Sequence, residues 1–248
     1  MKQIGMAETN NHFLGLFNKS PFYNIIKIIS IILIIWVILR TFFPSFLFTK
    51  KYSVTRSNIK YIFYSNKDLD IKVLEKFTDS VQKNISTSSL FRAFSEKNPH
   101  TNLFICNSPV LYSFLVPFNR KGFATSSKLT NNIYISNLNL KTGLATTYPK
   151  SKKVTNTILI THEITHLMLY NSNIYLKGWI EEGYCEYIAY GSNIEVKKML
   201  KKSTNDKYIK YMLGVSFLLK QNNNNLKKLE NSNINNEIVL EEIRQHEL

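Results

Sequence analysis

Cysteine is scarce in this chain of 248 residues, which contains only two. A framework of disulfide bonds is therefore excluded as the source of stability, because such frameworks need several cysteine pairs. Disorder of the whole chain is also excluded, since 44% of the residues are hydrophobic and 16 are phenylalanine. The length fits one domain of enzyme size, or a small domain with an appendage, and is sufficient for a hydrophobic core.

Acidic residues are about half as frequent as basic ones: 17 Asp and Glu stand against 32 Lys and Arg, for a net charge of +15. Such a balance raises nucleic acid or an anionic membrane surface as a partner. A nucleic-acid-binding element, however, combines clustered basic residues with interleaved aromatic ones. Apart from the pairs at 197–198 and 201–202, the lysines are scattered. We therefore expect no nucleic-acid partner.

Charge is missing from residues 28–39, which Lys27 and Arg40 flank. This apolar run is too short to cross a hydrocarbon layer of ~30 Å, which needs about 20 residues. Because long basic side chains reach the lipid headgroups, the span extends to about residues 23–43 and becomes long enough. The run therefore predicts one transmembrane helix.

We predict an uncleaved anchor over residues 23–48, after an N-terminal tail over residues 1–22. A cleaved signal peptide fits less well, because 27 residues precede the run and no small-residue cleavage site follows it. A buried core helix fits less well because the run is apolar on all sides. Basic residues flank both ends, so they do not fix the orientation. We expect a single-pass membrane protein whose following domain lies on the external face, since an N-terminal anchor before one domain is a common export device.

The rest of the chain divides by composition into a basic linker over 49–57, a mixed domain over 58–221 and a polar, Asn-rich tail over 222–248. Short apolar runs predict strands at 59–64, 103–106 and 133–135. Helical periodicity predicts helices at 69–85, 155–170, 178–190, 193–201, 206–221 and 237–244. This order predicts an α+β fold: a small mixed sheet, then a helical C-terminal part, all preceded by the transmembrane helix.

Residues 162–166 read His-Glu-Ile-Thr-His. On a helix, His162 and His166 differ by about 40° around the axis and project from one face. This spacing suits two neutral ring nitrogens that bind one zinc ion at ~2.0–2.1 Å. Glu163 lies beside the same face and can act as general base towards a zinc-activated water that attacks a carbonyl group. The alternative is a helix with two incidental histidines.

A catalytic zinc usually has a third protein ligand. Three carboxylates follow in the predicted helix 178–190, namely those of Glu181, Glu182 and Glu186. Glu182 and Glu186 share a face of the helix, whereas Glu181 points about 100° away. The same helix is rich in aromatic and aliphatic residues, so we expect it to be packed. Carboxylates on a packed helix need partners, and a zinc ion is one.

The His-Glu-x-x-His motif and the segment WIEEGYCEY at 179–187 together resemble the gluzincin metallopeptidases, above all the short peptidase MA-like group. The resemblance covers roughly residues 59–221 and implies a zincin-like catalytic domain. The matching positions imply two histidine zinc ligands, a catalytic glutamate and a glutamate ligand directly before a glycine: His162, His166, Glu163 and Glu182.

Two features depart from the family pattern. The gap of 15 residues between His166 and Glu182 is shorter than in the aminopeptidase-like enzymes and suits the compact group. Cys185 stands where the family has a small apolar residue, and we expect it to be a buried thiol rather than a ligand. The resemblance also implies a downstream Tyr or His that stabilises the oxyanion. Tyr208 and Tyr211 are the candidates, and packing is the alternative role for each.

These features predict a membrane-anchored zinc metallopeptidase that hydrolyses peptide bonds, with a peptide or protein as substrate and the bilayer as its other partner. One alternative is a catalytically silent zincin-fold module that binds or scaffolds at the membrane. The intact Glu163 argues against it, because a non-catalytic zinc site needs no base. Another alternative is a basic, membrane-tethered domain that binds nucleic acid or lipid, which the scattered lysines disfavour.

Overall fold

The structure, a computed structural model, describes residues 21–97, 99–147, 152–191, 206–230 and 232–247. The predicted helix at 193–201 and most of the predicted N-terminal tail lie outside the described residues. The chain divides into two compact units, Met1–Phe46 and Leu47–Leu248. The first contains the apolar helix, and the second contains the sheets and all the other helices that the structure describes.

Helix α1 (Pro21–Phe42) has 22 residues, which corresponds to about 33 Å at 1.5 Å per residue. Proline suits the first helical position, because it lacks the N–H group that would have no partner there. Another proline, Pro44, lies two residues after the end and disfavours helical backbone at Phe43, the residue before it. None of the residues of α1 is buried. By length and composition, this helix is able to cross a membrane.

The second unit begins with a five-stranded sheet in the order β1-β2-β3-β5-β4. Its strands are β1 (Lys50–Arg56), β2 (Ile59–Ser65), β3 (His100–Ile105), β4 (Ala124–Ser127) and β5 (Asn132–Ile135). Strands β2, β3 and β5 are parallel, whereas the edge strands β1 and β4 are antiparallel to their neighbours. The three predicted strands are thus confirmed as the central, parallel strands of a mixed sheet.

Strand β1 occupies the segment for which the sequence predicts a linker over 49–57. It pairs with β2 along its whole length and buries Val54. The connection is a two-residue turn of Ser57 and Asn58, whose φ angles of 44° and 65° are both left-handed. Such a turn matches the twist of a hairpin, so the segment folds back onto the sheet.

A smaller sheet of three antiparallel strands follows, with β6 (Leu138–Asn139), β7 (Leu144–Thr146) and β8 (Lys153–Thr155) in that order. The other helices are α2 (Ile71–Ile85), α3 (Phe91–Ser95), α4 (Pro109–Leu115), α5 (Asn156–Asn171), α6 (Gly178–Tyr190), α7 (Lys207–Gln221) and α8 (Asn236–Glu247). The predicted helices at 69–85, 155–170, 178–190, 206–221 and 237–244 correspond to α2, α5, α6, α7 and α8. The fold is therefore α+β, as predicted.

The five-stranded sheet is covered on both faces, because successive side chains of a strand alternate between faces. In β3, Leu103 and Ile105 enter the main core, which also contains residues of α2, α5, α6 and α7. Phe104 points the other way and joins a smaller cluster with Tyr112 of α4. The helices that carry the chemical motif thus lie on one face of the sheet.

The segment predicted as a polar tail over 222–248 takes part in the main core. A 3₁₀ turn (Leu226–Leu229) and helix α8 supply its buried apolar residues: Leu226, Leu229, Val239, Leu240 and Ile243. A few apolar positions at helical spacing are enough to bury one face of a short helix. The prediction of a polar tail is therefore wrong, because this Asn-rich segment also has an amphipathic pattern.

Candidate metal site

Helix α5 carries the His-Glu-x-x-His motif and packs against α6. Strand β8 leads directly into α5, and Thr155 lies at the N-cap position with extended backbone. After Asn171 the chain reverses through a short connection that buries Ile174 and Leu176. Helix α6 then begins at Gly178 with a φ of 41°, a backbone conformation that favours glycine. The two helices thereby bring their polar residues together.

The Nε2 atoms of His162 and His166 lie 3.2 Å apart. The Glu182 carboxylate approaches both of them, with Oε2 at 3.4 Å from His162 Nε2 and Oε1 at 3.9 Å from His166 Nε2. The two imidazoles are largely buried, with side-chain exposures of 12% and 11%. Three donor groups from two helices thus converge on one point.

This arrangement fits a zinc ion. Ligands at ~2.0–2.1 Å in a tetrahedron lie about 3.4 Å from one another, which is close to the three distances between His162, His166 and Glu182. Two imidazole nitrogens that face each other at 3.2 Å also need a cation or a proton between them, since their lone pairs repel. The donor set of two nitrogens and one carboxylate leaves a fourth position open, which is typical of catalytic rather than structural zinc.

Cys185 is a second candidate for the third ligand. Its Sγ and one ring nitrogen of each histidine all lie within 4.8 Å of one another, so the two histidines and Cys185 form a cluster that can hold a metal. A zinc-bound sulfur at 2.3 Å would lie about 3.6 Å from the nitrogens. Burial, with the nearby carboxylates, raises the pKa of the Cys185 thiol well above its usual value, although a metal ion that binds a thiol also removes its proton. The distances of the Glu182 oxygens match the spacing of zinc ligands, and the family resemblance also implies Glu182 as the third ligand.

The Nδ1 atoms of both histidines face further carboxylates of α6. Glu181 Oε1 lies 2.8 Å from His166 Nδ1, and Glu186 Oε1 lies 3.2 Å from His162 Nδ1. The second contact is poorly aligned for a hydrogen bond, although its distance is suitable. A carboxylate that accepts the Nδ1 proton leaves Nε2 free to bind a metal and fixes the orientation of the ring. Glu181 and Glu186 are thus placed to orient the two ligands.

The electrostatics of this cluster favour a cation. Burial lowers the pKa of His162, but the contacts with Glu182 and Glu186 raise it more, so that it is about 10. The contact with His166, together with that of Lys128, lowers the pKa of Glu181 to about 2 against the effect of burial. The contact with His162 likewise lowers the pKa of Glu182. The carboxylates that stabilise positive charge on an imidazole also stabilise a metal ion there.

Glu163, the predicted base, is buried, with 7% of its surface exposed. It lines a cavity of about 1420 Å³ whose lining also includes His162, His166 and Glu182. The base and the three donor groups therefore border the same space.

The two tyrosines proposed as oxyanion stabilisers lie on α7 and line the same cavity. Tyr208 is 40% exposed, and burial together with the charges of Glu182 and Glu186 raises its pKa. The ring of Tyr211 packs 6.2 Å from that of Trp179. Tyr208 is thus in electrostatic reach of the proposed ligand, and Tyr211, which borders the same cavity, also packs against an aromatic ring.

Edge strand β4 forms one wall of the cavity through Ala124, Thr125 and Ser126. The backbone of Phe123 accepts a hydrogen bond from Ser136, so in this antiparallel pair every second residue of β4 bonds to β5. The N–H and C=O groups of Ala124 and Ser126 consequently point away from β5, towards the free edge. An extended peptide can add to such an edge as a further strand.

The glycine that follows Glu182 has a steric role. A Cβ atom at Gly183 would lie 2.4 Å from the backbone oxygen of Tyr211, a distance that real Cβ atoms do not adopt. Helices α6 and α7 therefore approach each other closely only because residue 183 lacks a side chain. This close packing of α6 against α7 helps to set the position of Glu182, which directly precedes Gly183, relative to the histidines of α5.

The sequence did not predict the roles of Glu181, Glu186 and Lys128. Glu186 shares a helix face with Glu182, which is a signal of a common site, although not of a specific role. Glu181 lies on another face of α6, and it reaches His166 because α6 packs across α5. Lys128, on the turn after β4, is 53 residues from Glu181 in the sequence and joins the site through tertiary contact with it.

Compared with known proteins, the chain matches no family model, and no curated protein is significantly similar to it. The likeness to gluzincin metallopeptidases therefore depends on the residues of the two motifs and on their geometry.

Proposed function

We propose that this protein is a zinc-dependent metallopeptidase of the gluzincin type with a zincin-like catalytic domain. The observation that carries the proposal is the convergence of His162 Nε2, His166 Nε2 and the Glu182 carboxylate, with distances of 3.2–3.9 Å, beside a cavity that Glu163 also lines. A zinc ion held by these residues would supply Lewis-acid chemistry, which lowers the pKa of a water molecule towards 7 and polarises a carbonyl group.

The residues of the chain supply the other parts of the reaction. The carboxylate of Glu163 accepts a proton from the attacking water and delivers it to the leaving amine. Glu181 and Glu186 hold the imidazoles with Nε2 directed at the metal position. Tyr208 is the candidate donor to the oxyanion, because its phenol borders the cavity near Glu182.

Substrate binding is assigned to β4. The outward backbone groups of Ala124 and Ser126 lie along the wall of the cavity and can pair with a peptide in extended conformation. Backbone pairing recognises any peptide without regard to its side chains, so the substrate class is a polypeptide segment that is extended or locally unfolded.

The decisive variant is Glu163→Gln, which keeps the shape of the side chain and removes the base. We expect the full-length variant to bind zinc like the parent and to cleave peptides at least about 100-fold more slowly. Glu75→Gln, an exposed position on α2, is the matched control and should cleave like the parent. Equal cleavage by Glu163→Gln would disprove the base assignment. Zinc binding without cleavage by the parent would instead favour a catalytically silent binding module.

We further propose that α1 anchors the protein as a single retained span with the catalytic domain on the external face. The support is its length, its lack of charge from 28 to 39 and the absence of any buried residue in it. Full-length protein should remain in the membrane fraction after a salt wash. Recovery of a shortened chain in the soluble fraction would indicate a cleaved signal sequence, and protection from added protease in intact cells would place the domain inside.

A further inference from the structure

Lys128 is linked to a proposed zinc ligand through a single carboxylate oxygen. Its Nζ atom lies 3.1 Å from Glu181 Oε1, and the same oxygen lies 2.8 Å from His166 Nδ1. The oxygen thus accepts from an ammonium group on one side and from an imidazole on the other. Charge-assisted hydrogen bonds of this kind are shorter and stronger than neutral ones.

The three residues form a path from solvent to the metal site. The side chain of Lys128 is 48% exposed, that of Glu181 is 20% exposed and that of His166 is 11% exposed. Without Lys128, Glu181 would be a mostly buried carboxylate with one donor on Oε1. Two donors on the same oxygen restrict the rotation of the carboxylate and, through it, that of the imidazole.

The position of Lys128 in the fold gives this link a second consequence. Lys128 is the first residue after β4, in the turn that leads to β5, and the outer edge of β4 lines the cavity. The same turn has another contact with the metal-site helices: Asn171 Nδ2 donates to Asn131 Oδ1 at 3.2 Å. Of these two contacts, only that of Lys128 leads to a residue, Glu181, that itself contacts a proposed zinc ligand.

We propose that Lys128 is a positioning residue that acts through Glu181 to hold His166 in its metal-binding orientation, and that it joins the substrate-binding edge strand to the metal site. This inference rests on the proposed zinc site. It predicts that zinc affinity depends on a residue that itself contacts no zinc ligand, and that this dependence disappears when Glu181 is removed.

The test is the zinc dissociation constant of the full-length protein in detergent, measured against a competing chelator. Lys128→Met should weaken zinc binding about threefold, which is the scale of a half-exposed ion pair, and Lys128→Arg should restore the parental value. Glu181→Ala should weaken it about 10–100-fold, as loss of a direct partner of a ligand does. In the Glu181→Ala background, Lys128→Met should have no further effect, because its contact is already absent.

Asn131→Gly is the matched control. It removes the other contact between the turn and the helices while keeping the left-handed backbone at residue 131, where φ is 52°, and it should bind zinc like the parent. As a second readout, the visible absorption spectrum of the cobalt-loaded protein should change in Lys128→Met and stay parental in Lys128→Arg and Asn131→Gly, because it reports the geometry of the ligands.

Two results would overturn the inference while leaving the zinc site intact: parental zinc affinity in Lys128→Met, or an equal loss with and without Glu181. The second would mean that Lys128 affects the site by a route that does not include Glu181. Failure of the parent to bind zinc would overturn the zinc site and, with it, the role of Lys128.

Discussion

The clusters of side chains on the two sides of the five-stranded sheet differ in their chemistry. On one face, the rings of Tyr64, Phe104 and Tyr134 stack across three neighbouring strands, with centroid distances of 4.7 and 5.3 Å. On the other face, beyond the main core, α5 and α6 bring together two largely buried imidazoles and three carboxylates, of which those of Glu181 and Glu186 are also largely buried. The first arrangement stabilises the fold through apolar area, and the second collects charge.

This difference distinguishes the region that stabilises the fold from the region whose charged groups suit a binding or catalytic site. Burying charged groups is costly unless each has a partner, so an ordinary helix contact has no reason to contain them. In the α5–α6 contact, each of the three carboxylates of α6 faces an imidazole, and a metal ion would complete the neutralisation. We infer that the aromatic face stabilises the fold, whereas the α5–α6 contact contributes less to stability because it contains a polar candidate metal site.

The largest expected effect separates these two regions directly. His162→Ala removes one ligand and should weaken zinc binding more than about 100-fold, beyond the loss typical of an outer partner. It should also abolish the rise in melting temperature that zinc gives the parent, since a ligand that does not bind cannot stabilise the folded state. Phe104→Leu, on the aromatic face, should lower the free energy of unfolding by about 1–3 kcal/mol and leave zinc affinity unchanged. An equal loss of zinc affinity in His162→Ala and Phe104→Leu would show that the two regions do not differ in this way.

A smaller effect is expected where the site depends on packing. Gly183→Ala places a Cβ atom 2.4 Å from a backbone oxygen, so α6 and α7 must separate, at a cost of about 1–3 kcal/mol in the free energy of unfolding. The shift of α6 should also weaken zinc binding, because it moves Glu182. Denaturant unfolding and chelator competition measure the two effects.

Gly214→Ala is the matched control for that variant. Its Cβ atom would meet side-chain atoms of Asn236 and Trp179 at 2.7 and 3.0 Å, and side chains move more easily than backbone. The loss should therefore be smaller, and zinc affinity should stay parental. If Gly214→Ala is the more damaging of the two, the argument from the backbone contact at Gly183 is wrong.

The smallest effect concerns β4. Ser126→Pro removes an N–H group that points to the free edge, where proline is tolerated, and it should raise KM for peptides about two- to tenfold, as expected for one hydrogen bond. The turnover number and zinc affinity should not change. Thr125→Pro instead removes a bond to β5 and should destabilise the domain. An unchanged KM in a folded Ser126→Pro protein would show that substrate binds elsewhere.

The parts of this fold that are visible in the sequence are those with local periodicity. His162 and His166 are one helical turn apart, and the central strands are apolar, so both follow from residues that are near in sequence. The residue pattern of β4 does not indicate a strand, since its sequence Ala-Thr-Ser-Ser has neither alternation nor apolar residues beyond Ala124. Its position depends on pairing with β5.

The same limit applies to the candidate site. Glu182 was predicted from the family resemblance and lies beside both histidines, whereas Glu181 was expected to point away from the site and contacts His166. Angles around a helix axis describe one helix only, and the crossing of α5 and α6 decides which residues meet. The role of Lys128 could not be predicted for the same reason, because its contact with Glu181 joins residues that are 53 apart in the sequence.

We propose that His162, His166 and Glu182 hold one zinc ion, and X-ray absorption at the zinc edge of the purified full-length protein, together with its metal content, would identify the ligands. We predict one zinc per chain, lost on chelation, with nitrogen and oxygen ligands at ~2.0–2.2 Å and two imidazoles in the coordination shell. A sulfur ligand at ~2.3 Å would make Cys185 the third ligand, and a protein that retains no zinc would contradict the account as a whole.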